Sequence, residues 1–263
     1  ITAIRKTLVV TDGKYDLGAK LDKAVEIIGR CPQRVSLFTR TEATPVLSTT
    51  AALTLRGLRV TGADVGVRAV GAPLHVLGCV VETVNDGIVV TGKGATLEVS
   101  DTSVIGGRGL GITVEGAKAT IKRSEIRDTR LSAAGDAGVG IGVRRDGTVD
   151  AEALVESTVV SGSSFAGIYV SGAALTLKSS LIRNASMPEK IDGYGVYVNP
   201  NGIAAKVTIE QTVIESSKGY GIGVLGSELS LDRTVLRSTR RGPNAKTNYG
   251  ALIANLDGKT RKP

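Results

Sequence analysis

Gly87-Ile88-Val89-Val90 is followed by Gly111-Ile112-Thr113-Val114, Gly140-Ile141-Gly142-Val143, Gly167-Ile168-Tyr169-Val170, Gly195-Val196-Tyr197-Val198 and Gly221-Ile222-Gly223-Val224. Each copy reads glycine, aliphatic, any residue, aliphatic. Weaker copies open at Gly66 and Gly250, and successive glycines lie 21, 24, 29, 27, 28, 26 and 29 residues apart. A recurrence of this length marks a unit that cannot bury its own apolar face and must stack on the next.

A second signal lies between the copies: an aliphatic, two variable residues, a small hydroxyl residue, one more, then an aliphatic. Val99…Thr102…Val104, Ile121…Ser124…Ile126 and Val155…Thr158…Val160 obey it, as do Leu177…Ser180…Ile182, Ile209…Thr212…Ile214 and Leu231…Thr234…Leu236. Two short strands per repeat leave no room for a crossover helix. The chain is therefore expected to coil, each copy lying beside the next at the ~4.8 Å spacing of paired strands. An antiparallel sandwich or barrel also uses many short strands, but hairpins predict alternating strand types, not two motifs in fixed order. Asp86-Gly87, Asp146-Gly147, Asp192-Gly193 and Asn201-Gly202 fall at irregular points of the cycle, as corners or loop tips would.

Composition agrees. There are 34 glycines and no tryptophan, aromatics are 3 % and hydrophobics 41 %, so the core is expected to be layers of β-branched and aliphatic side chains. No apolar run is long enough to span a membrane. The chain opens on Ile1 without a charged start and apolar segment, so it reads as processed or excised, with any export signal outside it. Cys31 and Cys79 are too few for a disulfide scaffold. Of the net +8, residues 237–263 supply +6: seven cations (Arg237, Arg240, Arg241, Lys246, Lys259, Arg261, Lys262) against Asp257. The basic character thus belongs to one end. A basic character confined to one end argues against a nucleic-acid surface; a polyanion contact at that end is one reading, and a solvated end that blocks strand pairing is the favoured one.

The paired motifs resemble the parallel β-helix repeats of the pectin-lyase-like superfamily over residues 51–253 and more weakly over 7–50. Gly13-Lys14-Tyr15 through Cys31-Pro32 resembles the opening coils of secreted bacterial β-helix proteins. The expected fold is all-β, a right-handed parallel β-helix of about ten coils. It forms one domain over 1–253, with 1–50 as N-terminal coils or a cap, followed by a basic tail, 254–263. Leu17, Leu21, Ala24, Val25 and Ile28 also fit one face of a capping helix; strand alternation through Leu17, Ala19, Leu21, Val25 and Ile27 is favoured because Gly18 weakens a helix. The resemblance implies an extracellular or cell-surface setting, and many relatives are polysaccharide lyases or glycoside hydrolases. The segments those enzymes carry (Gly-His-Gly, Arg-x-Lys, Trp-x-Asp-His) are missing here.

Several chemistry-bearing residues read as structural. Cys79 continues the hydroxyl series, where an inward stack makes its thiol inert. Lys122, Glu156, Lys178 and Glu210 occupy equivalent positions on consecutive coils and form a surface charge ladder. His75 has no nucleophile motif nearby. Gly107-Arg108-Gly109 and Gly138-Val139-Gly140 lack the following helix that a phosphate loop needs. No zinc or calcium spacing is present, and no cofactor is expected.

A site is expected where connections lengthen: 127–139, 183–194 and 237–249 before the glycine strands, 144–154 and 199–208 after them. They wall the face formed by residues 140–143, 167–170, 195–198, 221–224 and 250–253. Tyr169, Tyr194, Tyr197, Tyr220 and Tyr249 gather there, with outward positions reading Gly142, Tyr169, Tyr197, Gly223: two rings with space on either side. Arg144, Asn199 and Lys218 are the polar ligand-binding candidates, near Arg145 and Asn201. Tyrosine pairs a flat apolar ring with a hydroxyl, suited to a sugar. Three readings stand: rings that shield the sheet, a non-catalytic groove for carbohydrate or another surface partner, and a catalytic groove using Asp136 and Asp192, whose strands are two coils or roughly 10 Å apart, a gap that loop placement must close to reach the ~6.5–9.5 Å of an inverting hydrolase. A spacer or filament subunit is a further alternative. If Val159, Leu181, Val213 and Val235 face outward, they favour a docking partner on that side.

Overall fold

The structure is a computed structural model, described for residues 6–41, 43–62, 64–132, 138–186, 192–242 and 249–254. Three parallel sheets of ten strands each run its length. Every coil contributes one strand to each sheet in turn. The first coil does so with Lys6–Val10, Gly13–Asp16 and Ala19–Leu21, and the second with Val25–Gly29, Val35–Phe38 and Leu47–Thr49. We refer to these as the first, second and third sheets.

The strands form because inward and outward residues alternate. In Thr96–Ser100, Leu97 and Val99 are buried and point inward, while Thr96 and Glu98 are exposed. The same inward pair recurs as Ala119/Ile121, Ala153/Val155, Leu175/Leu177 and Val207/Ile209, in register. Stacked aliphatics from all three sheets make one continuous core. Burying a chain's apolar residues in flat layers with almost no rings gives each coil the same cross-section, so coils can repeat.

The glycine strands form the third sheet. The second signal is not one strand, however, and the expected two strands per coil become three. Val99 lies in the first-sheet strand Thr96–Ser100, Thr102 sits at the corner, and Val104 lies in the second-sheet strand Ser103–Gly106. The turn is made by the residue before the hydroxyl. Asp101, Arg123, Ser157, Ser179, Gln211 and Arg233 all have φ between 45° and 52°, a left-handed kink that a strand reading of side-chain types cannot see. Residues 17–28 are strand and turn, not a capping helix: Ala19–Leu21 and Val25–Gly29 pair with the next coil, and Leu17 N–H donates to Phe38 O at 2.8 Å.

The hydroxyl series is an inward ladder. Cys79 N–H donates to Thr102 Oγ1 at 3.2 Å, Thr102 N–H to Ser124 Oγ at 3.3 Å, Thr158 N–H to Ser180 Oγ at 3.2 Å and Ser180 N–H to Thr212 Oγ1 at 3.3 Å. Each hydroxyl in turn donates to the carbonyl two residues before it, as Thr158 does to Glu156 O at 2.9 Å. Both cysteines are free, and burial pushes the Cys79 thiol pKa up. Outside, Lys122–Glu156 and Lys178–Glu210 close at 3.0 and 3.7 Å. His75 is outward and paired with Glu98 at 2.8 Å. Val159, Leu181, Val213 and Val235 face outward in register on the second sheet; all but Val235 are partly covered. No helix among the described residues is long and apolar enough to cross a membrane.

Candidate functional site

The third sheet places the candidates because its strands stay in register for coil after coil. Gly142 pairs with Tyr169, Tyr169 with Tyr197, and Tyr197 with Gly223. A second row runs Ala166, Tyr194, Tyr220 and Tyr249. A third runs Glu115, Arg144, Ser171 and Asn199. Alternation puts the first and third rows on the outward face; the second row stands three residues before the first, at the strand entry, and its Tyr194 ring reaches the same face, 4.7 Å from Tyr197.

The tyrosines form a packed cluster. Tyr169 and Tyr197 stack with centroids 5.8 Å apart and planes 16° off parallel; Tyr194 and Tyr220 stack at 5.3 Å and 15°. Tyr194 lies 4.7 Å from Tyr197. Phe165, just before its strand, packs edge-on against Tyr194 and Tyr197 at 5.7 and 5.6 Å. The rings therefore spend much of their flat surface on one another. Tyr220 is 9 % exposed, while Tyr169, Tyr194 and Tyr197 are half-buried, and no hydrogen bond to another described residue holds their three hydroxyls. Burial, with Tyr197, Asp192 and Tyr220 nearby, pushes the Tyr194 phenol well up, and burial with Tyr169 nearby raises that of Tyr197. Both phenols stay neutral and able to donate.

The expected space beside the two rings is filled. At Gly223, an added Cβ would sit 2.7 Å from Tyr194 Cε1 and 3.3 Å from Tyr197 Cδ2. At Gly142 the Leu110 side chain occupies the place. The glycines are sockets for neighbouring side chains, and such cross-coil packing is invisible along a single strand.

The polar candidates divide. Arg144 reaches one coil back to Glu115 at 3.3 Å, and Asn199 shares its row. Three side-chain atoms on this face are buried without a hydrogen-bond partner: Thr113 Oγ1, Arg144 Nε and Asn199 Oδ1. Lys218 instead lies at the corner before the sheet, its N–H donating to Ala185 O at 2.8 Å. Asp192 is 6 % exposed and engaged at that corner, packed on Gly219 and Gly242. Asp136, and the side chain of Tyr249, lie outside the described residues, as do parts of the connections 127–139, 183–194 and 237–249. On the opposite side, Asn201 Nδ2 donates to Arg145 O at 3.2 Å, so the connections 144–154 and 199–208 join in one wall. Among the described residues no group of acidic, histidine and cysteine side chains could hold a metal.

Sequence reasoning missed Phe165 and Leu110. It also missed a cleft of about 340 Å³ on the same face, lined by Arg68, Asp86, Thr113, Glu115 and Arg144. Burial raises the Asp86 carboxyl pKa despite the hydrogen bond from Leu110 N–H and the nearby Arg68 and Arg144. Inspecting the outward position of every glycine strand, not only the aromatic ones, would have found Arg68 and Thr113.

The family described as right handed beta helix region matches residues 57–235. No curated protein sequence matches the chain. Among solved structures, pectate lyase Pel9A is similar over 100 % of this chain and 80 % of its own, at 12 % identity and a TM-score of 0.59. The surface protein and adhesin PfbA of Streptococcus pneumoniae is similar over 95 % and 83 %, at 10 % identity and a TM-score of 0.51. Such identities speak for the fold alone. With three parallel sheets in register and a family match over more than half its length, the chain belongs to the right-handed parallel β-helix family.

Proposed function

We propose that this protein is an extracellular, non-catalytic β-helix module that binds carbohydrate through the outward face of its third sheet. One observation carries the reading. A half-buried aromatic cluster and three unpartnered buried polar atoms share a single face. Buried polar atoms in proteins are nearly always bonded, and a site that combines ring surface with a few aimed polar groups matches a sugar's apolar C–H faces and hydroxyl rim. The extracellular setting follows from the resemblance to secreted β-helix proteins. The non-catalytic role is supported by Asp192, whose carboxyl is buried at a corner.

A glycan array tests the reading with wild type and the Tyr169→Ala/Tyr197→Ala double variant. Binding by wild type and a loss of roughly tenfold or more in the variant, about 1.4 kcal/mol, is expected. Equal binding by both, or binding by neither, sinks it.

A further inference from the structure

The cleft beside the tyrosines has its own chemistry. Arg68 and Val89 precede Thr113 in the outward row that leads to Gly142 and Tyr169. Two strand spacings, about 10 Å, separate Thr113 from Tyr169, so one short oligosaccharide can touch both. Thr113 is 4 % exposed and lines the cleft, and its hydroxyl has no partner. Arg144 Nε is likewise unpartnered.

Around this floor stand two guanidiniums and two carboxylates. Arg144 and Glu115 bond at 3.3 Å and offset one another. Asp86 accepts the Leu110 N–H at 2.8 Å, leaving its second oxygen for a ligand. An anion entering here would gain from Arg68 and Arg144 but meet Asp86 and Glu115, a like-charge juxtaposition that is costly. A pair of adjacent hydroxyls uses both signs, accepting from a guanidinium and donating to a carboxylate.

We propose that the cleft over Thr113 is a second subsite of the same face and that it selects an uncharged, hydroxyl-rich sugar ring. This rests on the sugar-binding reading of the third sheet.

The test is calorimetric titration of the full chain with maltotetraose, cellotetraose and mannotetraose, and with tetragalacturonate. At least one neutral sugar is expected to bind, with affinity unchanged between about 20 mM and about 500 mM NaCl, because bonds to a neutral ligand are little screened. Thr113→Val, which preserves shape, and Arg68→Met, at an exposed position, are each expected to weaken that binding roughly tenfold with an unchanged melting temperature. Tighter binding of tetragalacturonate that falls with salt overturns the choice of an uncharged ring. Neutral-sugar binding kept by Arg68→Met and Thr113→Val but lost in Tyr169→Ala/Tyr197→Ala overturns the subsite and leaves the tyrosine reading standing. Binding of none of the four sugars sinks both.

Discussion

Thr158 shows what one residue does in a stacked coil. Its Oγ1 accepts the Ser124 N–H at 3.5 Å from one coil before and donates to Glu156 O at 2.9 Å, while its own N–H donates to Ser180 Oγ at 3.2 Å. The hydroxyl thus satisfies backbone groups at a corner where the left-handed Ser157 breaks the strand pattern. Thr158→Ala leaves the buried Ser124 N–H without its partner and the Glu156 carbonyl with only the Arg123 N–H, a cost of about 1–3 kcal/mol, whereas Thr158→Ser keeps both bonds. Denaturant melts should show Ala well below wild type and Ser near it; equal midpoints for the two would refute the ladder's role. The series of hydroxyls, with Cys79 among them, was legible in the sequence because its chemistry recurs at one position. The adjoining kink was not legible, since aspartate, arginine, serine and glutamine all occupy it.

At the scale of the strand, the glycines that opened the sequence reading have a steric reason. A Cβ on Gly167 would clash with Ile182 and lie 2.7 Å from Gly195 O, and Gly111 and Gly195 are crowded the same way by an aliphatic of the next coil's second-sheet strand and the next coil's carbonyl. The glycine brings the second and third sheets close at their shared corner. Gly167→Ala is therefore expected to cost about 1–3 kcal/mol through overpacking, and a thermal melt by circular dichroism checks it. Gly147→Ala makes a useful control for crowding, because nothing lies within 4 Å of its added Cβ, although its φ of 53° carries a backbone cost of its own. A Gly167→Ala melt at or above that of the control would show that crowding is not the reason.

For the molecule as a whole, the strands of each coil pair only with those of its neighbours, so stability is close to a sum of like interfaces, with the Asn201–Arg145 contact between long connections an addition to it. The ends are the weak members. Leu8, Val9 and Leu17 at one end are 54 %, 72 % and 42 % exposed, and Leu231 and Val235 at the other are 45 % and 48 % exposed, whereas Val99, Val155 and Leu177 in the middle are fully buried. Hydrogen exchange should proceed inward from both ends, with strands near Glu152–Glu156 and Ala174–Lys178 protected longest. Uniform protection along the chain would contradict this one-dimensional picture. It also explains why the proposed site lies on an outer face: every residue of the interior is committed to a layer.

The sequence by itself determined the parallel solenoid, the inward hydroxyl ladder, the outward charge ladder and the rows on which the tyrosines stand, because each is a repetition along the chain. The tertiary structure alone decided that every coil has three strands, that Phe165 and Tyr194 close over the tyrosine pair, that Leu110 fills the place at Gly142, and that Arg68, Asp86, Thr113, Glu115 and Arg144 share a cleft. These depend on how side chains from different coils lean toward one another. Parallel pairing brings residues about 20–35 positions apart within reach, and no periodic pattern encodes which neighbour a given side chain will fill.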